Sequence, residues 1–216
     1  GRSMGEGWSD FVSLLQNVRE EDRTRPGNDV FQGIYATAVY VSTGGVNQGA
    51  YYGLRRVPYS TSFSKNALTF RHITNNVALP TTHPVASGAN GAFNAEVHNS
   101  GEVWALMLWE CYANLLNAYP FQEAQDRMKA YLVAAFKVTP VSPTMLEARD
   151  ALIGVASASD PADGARFMAA FAKRGAGAGA IAPDRASGDH VGVVESFSPG
   201  AALRVQEIAL GDDVVG

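Results

Sequence analysis

Met4-Gly5-Glu6-Gly7-Trp8-Ser9-Asp10-Phe11 begins a run that reads as an amphipathic helix. Trp8, Phe11, Val12, Leu15 and Val18 recur at i, i+3, i+4, i+7 and i+10 and make one apolar stripe. Glu6 and Asp10 lie one turn apart on another face. Two carboxylates so placed can serve one metal site, the first as an oxygen ligand and the second as an acceptor that orients a ligating histidine. Taken alone, the pair also fits a solvated helix face, with Glu6 favoured by the positive end of the helix dipole.

Beyond this helix, the polar run 20–29 is a stop, and Tyr35-Ala36-Thr37-Ala38-Val39-Tyr40-Val41 predicts a short strand over 33–41. Residues 42–53 and 57–84 are rich in Gly, Asn, Thr and Pro and hold no sustained period. Irregular stretches of that length are more often functional than idle. Asn99, with Glu102 three residues on, gives a capping-box-like start for a helix running to about Asn117. That helix is apolar nearly all round, as expected of the buried centre of a bundle, with Trp104 and Trp109 in the core. Residues 121–138 are amphipathic, with Met128, Leu132, Ala135 and Phe136 expected inward. Ser142-Pro143 and Asp160-Pro161 each place a cap residue before a first-turn proline. Lys173-Arg174-Gly175 stops the last helix. Residues 175–216 have weak periodicity and are expected as extended or irregular chain.

With 216 residues, 46% hydrophobic and 18% charged, the chain can bury one sizeable core and is read as a single domain over 1–216, with 176–216 an irregular extension. A net charge of −4 without a long basic cluster argues against nucleic acid. No apolar stretch approaches a membrane span, because Glu110 and Asn114 interrupt even 103–116. The single cysteine, Cys111, excludes an internal disulfide and reads as a buried thiol. Gly175-Ala176-Gly177-Ala178-Gly179 is followed by no Walker lysine and is no phosphate loop, and neither Ser9 nor Ser100 stands in a nucleophile elbow.

Several strings together carry a family resemblance. They are the opening Met4 to Phe11, Leu54-Arg55-Arg56-Val57-Pro58-Tyr59-Ser60-Thr61, Ser64 to Ile73, Val97-His98-Asn99-Ser100-Gly101-Glu102-Val103-Trp104-Ala105, Leu108-Trp109-Glu110, Pro143-Thr144 with Ala148-Arg149-Asp150-Ala151, and Ala170 to Gly175. In that order they resemble the fungalysin family of secreted zinc metalloendopeptidases, which are thermolysin-like. The resemblance reaches to about Gly179. It implies a mainly α fold, a thermolysin-like C-terminal helical bundle with a short strand and long irregular loops lining the primed side of a cleft. It implies Glu6 as a zinc ligand, and Asp10 as the acceptor that fixes a zinc-bound histidine. His98 becomes the donor that stabilises the oxyanion, oriented by Glu96. Arg55 becomes the donor to a substrate carbonyl, with its neighbour Arg56 the competitor. Outside that resemblance, His98 is an ordinary polar residue ahead of a helix.

The family's zinc helix carries His-Glu-x-x-His. None of the four histidines here (His72, His83, His98, His190) stands in that pattern. The resemblance therefore implies a C-terminal lobe that begins just upstream of the third ligand and lacks its N-terminal catalytic lobe, so that the chain alone is inactive. The intact protein is expected to be a secreted peptidase acting on peptide or protein substrates. The alternative is a non-catalytic helical module acting in binding or structure. A face cut open along a cleft, with the Trp8, Phe11 and Leu15 stripe incompletely covered, would favour a homodimer through the first helix.

Overall fold

The computed structural model describes residues 2–42 and 49–200. It is mainly helical, as expected. Helix α1 (Arg2–Asn17) buries Met4, Phe11, Leu14 and Leu15, and Val18 follows them into the core. Leu14 replaces Val12 in the buried stripe, because the stripe drifts around a 3.6-residue helix. Trp8 is half-buried, with its ring edge-on to Trp104 at 6.1 Å and to Phe136 at 5.1 Å. Of the expected stripe, Phe11 and Leu15 are buried by the chain's own helices, while Trp8 stays half-buried beside the part-exposed Phe136.

What lets α1 lie so close to its neighbour is a pair of glycines. A Cβ on Gly7 would stand 2.4 Å from the Gly101 carbonyl oxygen, and one on Gly101 would stand 2.7 Å from the Ser3 carbonyl oxygen. Only a residue without a side chain allows that approach at either position.

Residues 33–41 do not form the expected strand. Tyr35 pairs with Tyr59 in one antiparallel bridge and Thr37 with Gly53 in one parallel bridge. At Ala38 the backbone turns to φ 51° and enters helix α2 (Val39–Ser42). A left-handed residue cannot continue a pleat, so the apolar run stops at isolated bridges. Helix α3 (Gly49–Tyr52) precedes the long irregular region.

That region is held by side chains in place of a ladder. Asn66 donates to the Pro58 carbonyl and accepts from the Leu68 N–H. Asn94 donates to the carbonyls of Thr74 and Val77. His83 Nε2 accepts from the Ala67 N–H. Buried backbone groups must be paired by some partner, and here polar side chains do it.

Helix α4 (Val97–Ala118) is the buried centre, with Trp104, Trp109, Cys111 and Tyr112 all within the core. Its cap is Glu96, not Asn99, since the Glu96 carboxylate accepts from the backbone N–H groups of His98 and Asn99. Glu102, expected to complete a capping box, instead points inward to Arg56. Helix α5 (Phe121–Val138) buries Met128, Leu132 and Ala135, while Phe136 stays 43% exposed beneath Trp8. Helix α6 (Met145–Ser159) starts at Thr144, in a reciprocal box with Glu147. The expected Ser142 cap fails because Ser142 has φ 51°, outside the extended conformation that a cap adopts. Helix α7 (Pro161–Lys173) begins at Asp160 and ends before Gly175 at φ 82°, as expected.

Arg174, read from sequence as part of a helix stop, is fully buried. It donates to Glu110 at 2.8 Å and to the carbonyls of Ser60, Asn66 and Leu68, tying the irregular region onto α4. Removing one partner of such a pair leaves an uncompensated charge in the core, at a cost of about 3–5 kcal/mol. After α7 the chain is irregular, with bridges between Ala176 and Ser196 and between Ile181 and Val194. The rest of the expectation, for 201–216, lies outside the described residues.

Two core histidines serve structure. The His72 ring is buried and its Nδ1 accepts the Thr69 N–H at 2.8 Å. Burial, then the charge of Arg71, pushes its pKa down from 6.5 to about 4. The unfolded chain therefore takes up this proton first. The contribution to stability is full above pH 6.5 and is lost as pH falls toward about 4. Urea unfolding measured across this window should show a decline of up to about 1.4 kcal/mol per pH unit from this residue. The decline should be missing in His72→Asn, and a variant with the wild-type slope would contradict a buried neutral ring.

Candidate functional site

The glycine crossing of α1 and α4 puts the first turns of both helices side by side. Glu6, one residue before Gly7, therefore meets His98, three residues before Gly101. Glu6 Oε2 lies 3.3 Å from His98 Nε2, and Glu96 Oε1 lies 2.8 Å from His98 Nδ1. The imidazole is held between two carboxylates, yet all three side chains remain about half exposed. Glu96 does two things at once: one oxygen caps α4 and the other fixes the ring. Burial opposes the charge on Glu96, but the hydrogen bonds from His98 and the Asn99 N–H outweigh it and hold the carboxyl below its usual range. An ionised carboxylate only accepts, so Nδ1 carries a hydrogen toward Glu96.

Asp10 sits one turn further along α1, in a different setting. It is not solvated. Arg55 grips it with two nitrogens, Nε to Oδ2 at 2.5 Å and Nη2 to Oδ1 at 2.7 Å, and the Tyr59 hydroxyl donates to Oδ2. Burial works against the charged guanidinium, but Asp10 outweighs it and raises the Arg55 pKa. Such a planar fork matches a carboxylate in a way that lysine cannot.

Arg55 and Arg56, adjacent in sequence, are separated in role by the fold. Arg56 is buried and spends its donors on Glu102 at 2.7 Å, Asn94 at 2.7 Å and the Asn99 carbonyl at 3.0 Å. It joins the start of α4 to the irregular region, with each of its three nitrogens engaged and the side chain buried. Arg55 keeps Nη1 without a hydrogen-bond partner among the described residues. The structure thus brings Glu6, Glu96 and His98 together, and sets Asp10 and Arg55 together beside them on α1 and the following loop.

Sequence reading missed Tyr59, Glu102 and Arg174. Lone acids in an otherwise apolar helix, Glu102 and Glu110, are the signal that buried cations must face them. Nothing local marks Tyr59, whose partner lies 49 positions away.

Glu6 has the chemistry of one hard oxygen ligand, open to solvent with an imidazole beside it. A zinc site needs about four donors. Among the described residues no group of three or more His, Cys, Asp and Glu side chains could hold a metal ion. Glu6 fits a share of such a site, and the set is not closed by these residues. A cavity of about 510 Å³ opens elsewhere, between Leu14, Asn17, Tyr35, Thr37 and Lys65, and does not include Glu6 or His98.

The extracellular metalloproteinase of Aspergillus fumigatus is 30% identical over 191 residues, covering 82% of this chain and 25% of the relative. Extracellular metalloproteinase 10 of Coccidioides posadasii is 29% identical over 191 residues, with the same two coverages. Extracellular metalloproteinase 1 of Arthroderma otae is 30% identical over 192 residues, again with 82% and 25% covered. The chain thus spans about a quarter of the length of the curated relatives it matches. The model of the family described as fungalysin metallopeptidase (M36) matches residues 1–180, and the chain belongs to that family.

Proposed function

We propose that this chain is the C-terminal lobe of a secreted zinc metalloendopeptidase and forms one wall of its active site. The observation that carries the reading is the meeting of Glu6 and His98 across a helix crossing, in an open position, with the imidazole fixed from behind by Glu96. Glu6 would be one metal ligand, the others coming from another part of the protein. Bound zinc supplies Lewis acidity toward a peptide carbonyl and its attacking water.

The chain's own residues do the rest. His98, held by Glu96 through Nδ1 and lying beside Glu6 through Nε2, would in its protonated form donate from Nε2 to the oxyanion that develops on the scissile carbonyl. Its orientation costs nothing at the moment of reaction, because the Glu96 contact exists beforehand. Asp10 accepts from an imidazole ligand on the facing lobe, and Arg55, already fixed by Asp10, offers Nη1 to a substrate carbonyl.

This chain by itself should show no peptidase activity and no tight zinc binding, because one open carboxylate and one imidazole make a poor tetrahedral site. Casein hydrolysis and calorimetric zinc titration of the purified chain check this. Zinc-dependent cleavage that disappears in Glu6→Ala would overturn it, and stable binding to a non-substrate partner would favour the non-catalytic helical module instead. In a full-length protein carrying the other ligands, His98→Ala should lower kcat by about 10²–10³-fold with little change in KM, the behaviour of a lost oxyanion donor. Glu6→Ala should instead release the metal. Wild-type turnover in the His98 variant would remove that residue from the reaction.

A further inference from the structure

Tyr59 is the buried side chain at the Asp10 cluster that the proposed chemistry does not use. Its ring is 1% exposed, and its backbone is bridged to Tyr35 by two hydrogen bonds of 2.8 and 2.9 Å, so the phenol has a fixed place. Burial, then the charge of Asp10, pushes the hydroxyl well above its usual range, which keeps it a proton donor.

A carboxylate offers about four lone-pair positions. Arg55 Nε and the Tyr59 hydroxyl fill the two on Asp10 Oδ2, and Arg55 Nη2 fills one on Oδ1. One position is left, on Oδ1. Among the described residues no other donor reaches it, and the Asp10 side chain keeps 11% exposure, so the carboxylate is not wholly closed off by these residues. Arg55 alone would hold the carboxylate by one edge and leave two positions open, one on each oxygen. Tyr59 closes the position on Oδ2 and leaves a single direction of approach.

We infer that Tyr59 is a positioning residue: its hydroxyl and the Arg55 fork together lock Asp10 so that one acceptor position on Oδ1 is presented to one incoming N–H donor of imidazole type. The identity of that donor as a metal-binding imidazole rests on the proposed function. The occupancy of the other three positions does not.

Tyr59→Phe removes one oxygen and keeps the ring, so packing is preserved. In the full-length protein, chelator competition should show zinc affinity reduced about tenfold in Tyr59→Phe and about 10- to 100-fold in Asp10→Asn, the range for partners that orient a ligating histidine. In this chain alone, hydrogen exchange of the Arg55 Nε–H should be at least about tenfold faster in Tyr59→Phe, because the freed carboxylate can turn away from the fork. Wild-type zinc affinity in Tyr59→Phe, with affinity weakened in Asp10→Asn, would overturn the role of Tyr59 and leave the proposed function standing. Unchanged affinity in Asp10→Asn would overturn the role of Asp10 in that function. Unchanged Arg55 exchange would show that Tyr59 does not lock the carboxylate at all.

Discussion

Where α1 crosses α4, Gly7 and Gly101 leave no side chain between the two backbones, and the position of nearly every other candidate residue follows from that crossing. Glu6 reaches His98 because each stands within three residues of the crossing point. Asp10 comes next along the same helix and is brought to Arg55 and Tyr59. Trp8 is seated on Trp104 and Phe136 by the same approach. A methyl group at either glycine would have to push the helices apart, and the carboxylates on α1 would move with their helix. The site is therefore largely a property of helix packing, with Arg55, Tyr59 and Glu96 supplied by the adjoining irregular chain.

The second constraint is electrostatic. Within its largely apolar middle, helix α4 carries two buried glutamates about two turns apart, Glu102 and Glu110, each about 2% exposed. Each faces one buried arginine, Arg56 and Arg174. Those arginines also bind Asn94 and the carbonyls of Ser60, Asn66 and Leu68 in the largely irregular region between α3 and α4, and Arg56 binds the Asn99 carbonyl in the first turn of α4. A buried charge is costly unless all of its hydrogen-bonding capacity is met, and here backbone carbonyls supply the balance. The two pairs thus give an irregular segment, which has no ladder of its own, a fixed attachment to the central helix. Glu96, Asn94 and Arg55 all lie on chain that is held this way.

Much of the helical plan was legible from periodicity. Helices α5 and α7 stand where their apolar spacing and the Asp160-Pro161 signal put them, and α4 is buried all round as its composition requires. Caps were less legible. Asn99 and Ser142 are good cap residues by type, but Glu96 took the first role with a longer side chain, and a left-handed backbone at Ser142 handed the second to Thr144. The strand over 33–41 failed for the same reason, a left-handed Ala38 that no local preference announces. Glu6, Asp10, Arg55, Glu96 and His98 could be named because strings around them resemble a family. Their division into two neighbouring clusters, and the presence of Tyr59 in one of them, depends on contacts between distant parts of the chain, which periodicity does not encode.

The helix crossing can be tested on the chain as it stands by nuclear Overhauser spectroscopy. Protons closer than about 5 Å give cross-peaks, and backbones in contact at Gly7 and Gly101 fall within that distance. The account predicts a cross-peak between the Hα protons of Gly7 and Gly101 together with one from the Glu6 side chain to the His98 ring. A folded chain that showed neither would contradict it, because the candidate site would then have no helix crossing to assemble it.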